Sequence, residues 1–92
     1  MQVIWTRGAL RQLTAIGAYI AQDSPDAALS VVQRIFASAD LLADFPQLGA
    51  PTDRPNTRTY KVPRLPYRIF YRVRPRLNRI DILRVVHGRQ SR

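Results

Sequence analysis

Apolar and polar positions alternate in two different rhythms along this chain, and the change of rhythm divides it. Gln2 to Trp5 is a short β-branched and aromatic stretch that predicts a strand, and Thr6 behind it carries a hydroxyl able to cap a helix. Leu10, Leu13, Ile16, Gly17 and Ile20 then recur at intervals of three and four. That spacing predicts a helix from about Arg7 to Gln22 with one apolar stripe, bordered by Tyr19. Asp23-Ser24-Pro25-Asp26 punctuates the pattern: Ser24 can cap, Pro25 suits a first helical position, and Asp26 complements the helix dipole. The second helix starts at Pro25. Its stripe is Ala28, Val31, Val32, Ile35, Phe36, Ala39 and Leu42, and Phe45-Pro46 ends it because proline disfavours a helical predecessor. Two helices joined by so short a link form an antiparallel hairpin.

Beyond Pro46 the helical period disappears. Pro46, Gly49, Pro51 and Pro55 mark an irregular crossing, after which strands are predicted at Arg58–Val62, Tyr67–Val73 and Arg79–Val86. The expected fold is a single α+β domain over residues 1–92, in the order β-α-α-β-β-β. The N-terminal strand and the helical hairpin pack on a mainly antiparallel, twisted sheet. Alternation places Tyr67, Ile69, Tyr71 and Val73 under the helices, with Arg68, Phe70 and Arg72 on the outer face. A turn centred near Arg76 would set Ile69 opposite Leu83, Tyr67 opposite Val85 and Arg68 opposite Arg84. Two arginines would then face each other, which destabilises a sheet by about 0.2–1 kcal/mol and suits a site for an anion. Trp5 and Tyr19 read as packing between the first strand and the first helix.

Composition sharpens this outline. At 92 residues, with 46% apolar and 23% charged positions, the chain has the make-up of one globular domain, though a small one. It lacks cysteine, which removes disulfide and thiol chemistry, and one histidine with six aspartates offers no metal-ligand spacing, so no cofactor is expected. No apolar run approaches the roughly 18 residues that span a bilayer, so the expectation is a cytoplasmic protein with no membrane partner. The net charge of +9 is unevenly held. Residues 1–46 carry three arginines against four aspartates, a net −1; residues 47–92 carry eleven arginines and Lys61 against Asp53 and Asp81, a net +10. The C-terminal half is therefore the expected working surface, made for a large anionic partner and for salt-sensitive association.

The sequence of features Trp5, Ala9-Leu10, Leu13, Ile16, Tyr19-Ile20, Ser24-Pro25-Asp26-Ala27-Ala28, Phe45-Pro46 and Gly49 leads to Tyr67-Arg68-Ile69-Phe70-Tyr71-Arg72-Val73. It ends in Ile82-Leu83-Arg84-Val85-Val86-His87-Gly88-Arg89-Gln90, and as a whole it resembles the RelE/ParE toxin superfamily over nearly the entire chain. The resemblance implies a bacterial type II toxin–antitoxin system in which a cognate antitoxin silences a small basic toxin as a hetero-oligomer. It also implies one of two activities. ParE-type toxins trap DNA gyrase, whereas RelE-type toxins cleave mRNA on the ribosome without a metal. The Ser-Pro-Asp-Ala-Ala link and the two long helices are more similar to the ParE branch.

RNA cleavage needs a base for the ribose 2′-hydroxyl, an acid for the leaving oxygen and cations on the phosphate. By resemblance, Arg68 matches a phosphate-contacting arginine and His87 a C-terminal catalytic histidine of some RelE-like nucleases, with Arg84 and Arg89 adding charge. Nucleases with a carboxylate base place a glutamate in the loop before the second strand; this chain has no glutamate, and Asp53 is the sole acid there. Strict alternation also puts His87 on the face opposite Arg68. The expected target-binding residues are thus Lys61, Arg68, Arg72, Arg84, His87, Arg89 and Gln90, with gyrase as the target and the ribosome with mRNA as the alternative. Leu13, Ile20, Val31 and Ile35 are the expected antitoxin contacts. A stand-alone nucleic-acid-binding module is disfavoured, since no recognised binding motif appears.

Overall fold

The computed structural model describes residues 1–88. Strand β1 (Gln2–Trp5) leads into helices α1 (Arg7–Ala21) and α2 (Pro25–Asp44), followed by strands β2 (Ala50–Pro51), β3 (Thr57–Lys61), β4 (Tyr67–Arg74) and β5 (Arg79–His87). Together they form one domain with a five-stranded sheet in the order β1-β5-β4-β3-β2. β1 is parallel to β5 and the other neighbours are antiparallel. The two-residue strand β2 was not expected. Ala50-Pro51 reads locally as loop, and only pairing with Arg58 and Thr59 makes it a strand, at the sheet edge where proline is tolerated.

Local chemistry sets the helix ends as expected. Thr6 Oγ1 accepts from the Ala9 amide at 3.2 Å and Ser24 Oγ from the Ala27 amide at 3.1 Å, so each helix begins on a hydroxyl cap. The hairpin covers one face of the sheet, α1 over β5 and α2 over β1 and β5. Ala9 and Leu13 from α1 meet Ile35, Ala39 and Leu42 from α2, and both sets rest on Ile69, Tyr71, Ile80, Ile82 and Val85. Gly17 lets the helices close: a Cβ there would lie 3.2 Å from Val32 Cγ2. Trp5 packs edge-on against Phe36, with ring centroids 4.9 Å apart. Tyr19 does not pack as expected. It is 73% exposed, at the rim of a recess between α1 and the ends of β4 and β5 that Tyr67 and His87 also line.

One buried hydroxyl ties the helical half to the sheet. Tyr71 is fully buried in the centre of β4, and its hydroxyl donates to the Pro46 carbonyl at 2.7 Å while accepting from the Gly49 amide at 3.0 Å. The loop that leaves α2 is thereby pinned onto the core. Only glycine fits at position 49, since a Cβ would sit 2.6 Å from that hydroxyl and 2.8 Å from the Thr59 carbonyl. Arg58 Nη1 adds a bond to the Gly49 carbonyl at 2.6 Å.

Burial pushes the Tyr71 pKa above its ordinary value of 10.0, outweighing the opposing effects of the Gly49 amide and the Arg58 charge. The folded hydroxyl therefore holds its proton more tightly than the unfolded one. Its contribution is complete below about pH 10 and is lost as pH rises through the folded value. Tyr71→Phe should destabilise the fold by about 1–3 kcal/mol at pH 7 by orphaning the Gly49 amide and the Pro46 carbonyl. Urea unfolding at pH 7 and above pH 10 checks both points: the gap between wild type and variant should narrow at the higher pH.

Candidate target-binding face

β5 decides which side chains reach solvent. Its apolar residues fall into two phases, Ile80 and Ile82 on even positions and Leu83 and Val85 on odd ones. A strictly alternating strand could bury only one set. The structure accommodates Ile80, Ile82 and Val85 through a β-bulge: Tyr71 pairs with Ile82 and Phe70 with Arg84, leaving Leu83 as the extra residue. Ile80, Ile82 and Val85 are all buried, and Asp81 and Arg84 both lie on the outer face.

The bulge is braced from α1. β1 pairs only with residues 79–82, and beyond it Thr6 Oγ1 donates to the carbonyls of Ile82 at 2.8 Å and Leu83 at 3.3 Å. Gln12 Oε1 then accepts from the Val85 amide at 2.8 Å. The Thr6 amide also donates to the Ile82 carbonyl at 3.2 Å, so past the end of β1 the main chain of β5 is satisfied by the cap residue of the first helix and by Gln12 within it.

The expected register is corrected by two residues, one from the turn, which centres between Arg76 and Leu77 because Arg74 pairs with Arg79, and one from the bulge. Arg68 lies opposite Val86, not Arg84; Ile69 lies opposite Val85, not Leu83; and Tyr67 lies opposite His87, not Val85. The like-charge opposition exists, but on the other edge of β4, where Arg68 faces Lys61 of β3. Lys61 Nζ is tethered to the Leu65 carbonyl at 3.1 Å, and among the described residues neither cation has a carboxylate partner.

Arg68, Arg72 and Arg84 share the solvent-facing side of the sheet, as expected, and the pairing of β3 with β4 adds Lys61 to them. Arg84 lies with its guanidinium carbon 4.3 Å from the centroid of the Phe70 ring. This cation–π contact holds the charge against the sheet. Thr52, Asp53, Arg54, Thr57 and Leu83 complete a depression of about 360 Å³ around that pair. Asp53 therefore reaches the same recess as Arg84, a proximity that strand alternation could not reveal. Phe70 was legible as an outward aromatic among arginines, but its stacking partner depended on the bulge.

His87 lies elsewhere. Its ring meets Tyr67 edge-on with centroids 5.8 Å apart, beside Gln12, Ile16, Tyr19 and Val85 on the helix-covered side. The strand therefore separates His87 from Arg68, and the bulge at Leu83 does not bring them together. Arg89 and Gln90 lie outside the described residues. Of the expected antitoxin contacts, Leu13 (3% exposed) and Ile35 (fully buried) are corrected: both are core residues between hairpin and sheet, beyond a partner's reach. Ile20 and Val31 are half-buried.

A family model described as the ParE toxin of type II toxin–antitoxin system, parDE, matches residues 3–92. Y4kP of Sinorhizobium fredii, named as a candidate toxin, is 43% identical over 90 residues, covering 98% of this chain and 91% of its own. Toxin RelE2 of Caulobacter vibrioides is 41% identical over 87 residues, covering 95% and 94%. Among solved structures, a chain of the chromosomal ParDE system of P. aeruginosa superposes with a TM-score of 0.79 at 32% identity, over 95% of both chains. A chain of the RelBE2 toxin–antitoxin complex of Mycobacterium tuberculosis gives 0.60 at 30% identity, over 94% of this chain and 88% of that one.

Because Leu83 is the surplus residue, its deletion should regularise β5 and still leave Ile82 and Val85 inward and Arg84 outward. The expected outcome is a cooperatively folded protein destabilised by about 1–3 kcal/mol, with the Arg84–Phe70 stacking retained. Inserting one alanine after Leu83 should instead abolish cooperative unfolding. Thermal denaturation of the two variants distinguishes these outcomes.

Proposed function

The chain belongs to the ParE toxin family of type II toxin–antitoxin systems, and from that premise we propose that it inhibits DNA gyrase through the outer face of its sheet and is silenced by a cognate antitoxin. The observation that carries this reading is the partition made by β4. Arg68, Lys61, Arg72 and Arg84 face solvent together, while His87 lies on the side covered by the helices. Among the described residues, these cations share their face with Asp53 but not with the histidine, an arrangement that suits gripping better than acid–base cleavage. The greater similarity to the ParDE chain than to the RelBE2 chain supports the same choice.

The antitoxin reading rests on different surface. α1 and α2 expose Leu10, Tyr19 and Leu29, and Ile20 and Val31 remain partly accessible beside them. An amphipathic segment folding along the hairpin would bury these apolar groups, and burial must exceed the entropic cost of ordering the segment. Both partners would be met in the cytoplasm.

Ribosome-dependent mRNA cleavage is the second reading. It is favoured by the likeness to toxin RelE2 and by the approach of Asp53 to the Arg84–Phe70 recess. Assays of purified protein with gyrase and supercoiled DNA, and separately with ribosomes carrying mRNA, divide the two. Lost supercoiling or linearised DNA is expected. Cutting within the A-site codon with gyrase unaffected would sink the proposal, and loss of that cutting in His87→Ala would then assign the histidine. Within the gyrase assay, Arg68→Ala and Lys61→Ala should each weaken inhibition about tenfold, with thermal stability held within a few degrees, since both are solvent-facing charges.

A further inference from the structure

The outer face opposes like charges at a second place, where Arg74 of β4 pairs with Arg79 of β5. Here, unlike at Lys61 and Arg68, the fold supplies a counter-ion. Asp81 Oδ2 accepts from Arg74 Nε at 3.1 Å and Asp81 Oδ1 from Arg79 Nε at 3.0 Å. The carboxylate is 8% exposed, while the two arginine side chains keep 38% and 33%. Arg72 stands directly opposite Asp81 as well, and Arg76 follows in the 3₁₀ turn at Pro75–Leu77. Of these four cations, Arg74 and Arg79 alone bond the carboxylate.

Simple neutralisation does not explain this arrangement. A face shaped only for positive charge would not bury a carboxylate in its middle, and a pair shaped only for stability would use one arginine in a two-pronged contact. Instead each guanidinium gives Asp81 a single N–H, from Nε. No other hydrogen bond of either guanidinium forms among the described residues, so the donors on the Nη atoms remain for a ligand. Both planes are fixed before any partner arrives, which lowers the entropic cost of binding an anion that offers two oxygens.

We propose that Arg74 and Arg79, positioned by Asp81, form a phosphate clamp for the backbone of duplex DNA, so that the toxin holds the DNA on which gyrase acts as well as the enzyme. This rests on the gyrase reading above. A nucleic acid suits the face better than an acidic protein because the outward arginines of β4, Arg68, Arg72 and Arg74, lie along one strand at multiples of about 7 Å. A rigid row of cations matches a polymer charged at every repeat. Asp81 is the positioning residue and touches no ligand.

The test is fluorescence anisotropy of the full chain with a labelled 20-base-pair duplex across 50–200 mM salt, beside a gyrase supercoiling assay. Arg74→Gln and Arg79→Gln should each weaken duplex binding about five- to tenfold and lower the salt slope by about one. Arg76→Gln removes the same charge outside the reach of Asp81 and should change affinity less than about twofold. Asp81→Asn is the sharpest variant: it makes the protein more positive, so diffuse attraction demands tighter binding, whereas the clamp requires weaker binding. Equal losses at Arg74, Arg76 and Arg79 would overturn the clamp, as would tighter binding by folded Asp81→Asn, or wild-type preference for polyglutamate over the duplex. Should Asp81→Asn not fold by circular dichroism, the three arginine variants decide. If gyrase is unaffected by wild type while duplex binding follows the clamp pattern, the gyrase reading falls and the clamp stands. If gyrase is inhibited and the glutamine variants bind DNA like wild type, the clamp falls alone.

Discussion

The position of β5, bonded to β4 on one edge and to the start of the chain on the other, is the constraint on which the rest of the structure depends. The parallel pairing of residues 2–5 with 79–82 joins the two ends of the sequence, and the helical hairpin must then cross the sheet on one side to reach β2. Once one face is covered, period two dictates that charged residues of β4 and β5 gather on the other. β1 is too short to protect all of β5. Thr6 and Gln12 take over where it stops, so the residue that begins the first helix also holds the bulge that sorts the last strand.

Much of this was legible in the sequence because the signals were local. Thr6 and Ser24 mark helix starts through hydrogen bonds made within three residues, Pro25 does so by its fixed φ, and the apolar stripes of α1 and α2 report the faces they bury. Tyr67 to Val73 alternates so cleanly that its inward and outward sets follow directly. β2 escaped notice because two residues carry no period of their own. The register of β4 against β5 escaped for a deeper reason. A strand with apolar residues in both phases can be reconciled with a one-sided core only by an inserted residue, and sequence alone does not say where the insertion falls.

The site was legible to the same degree. Arg68, Arg72 and Arg84 were identifiable as outward cations from alternation and charge, which are local properties, whereas the face of Lys61 follows from the pairing of β3 with β4. Their partners were not, since Arg84 on Phe70, Arg68 against Lys61 and the Arg74–Asp81–Arg79 group are cross-strand relations set by register. Leu13 and Ile35 show the opposite error. Their place on an apolar stripe was correct, but a stripe on a two-layer fold faces the core, and the surface left for a partner is its flanks.

The two like-charge pairs on the outer face show how stability and function divide this small domain. Opposed cations weaken a sheet by about 0.2–1 kcal/mol, a meaningful share of the stability of a domain this size. At Arg74 and Arg79 the fold offsets that loss with a buried carboxylate; at Lys61 and Arg68 it does not. A ligand that bridges the uncompensated pair binds the folded state alone, because the unfolded chain does not hold β3 beside β4. Such binding raises stability by linkage. If the proposed face is the one an anionic partner covers, neutralising the Lys61–Arg68 pair would add to the affinity for that partner.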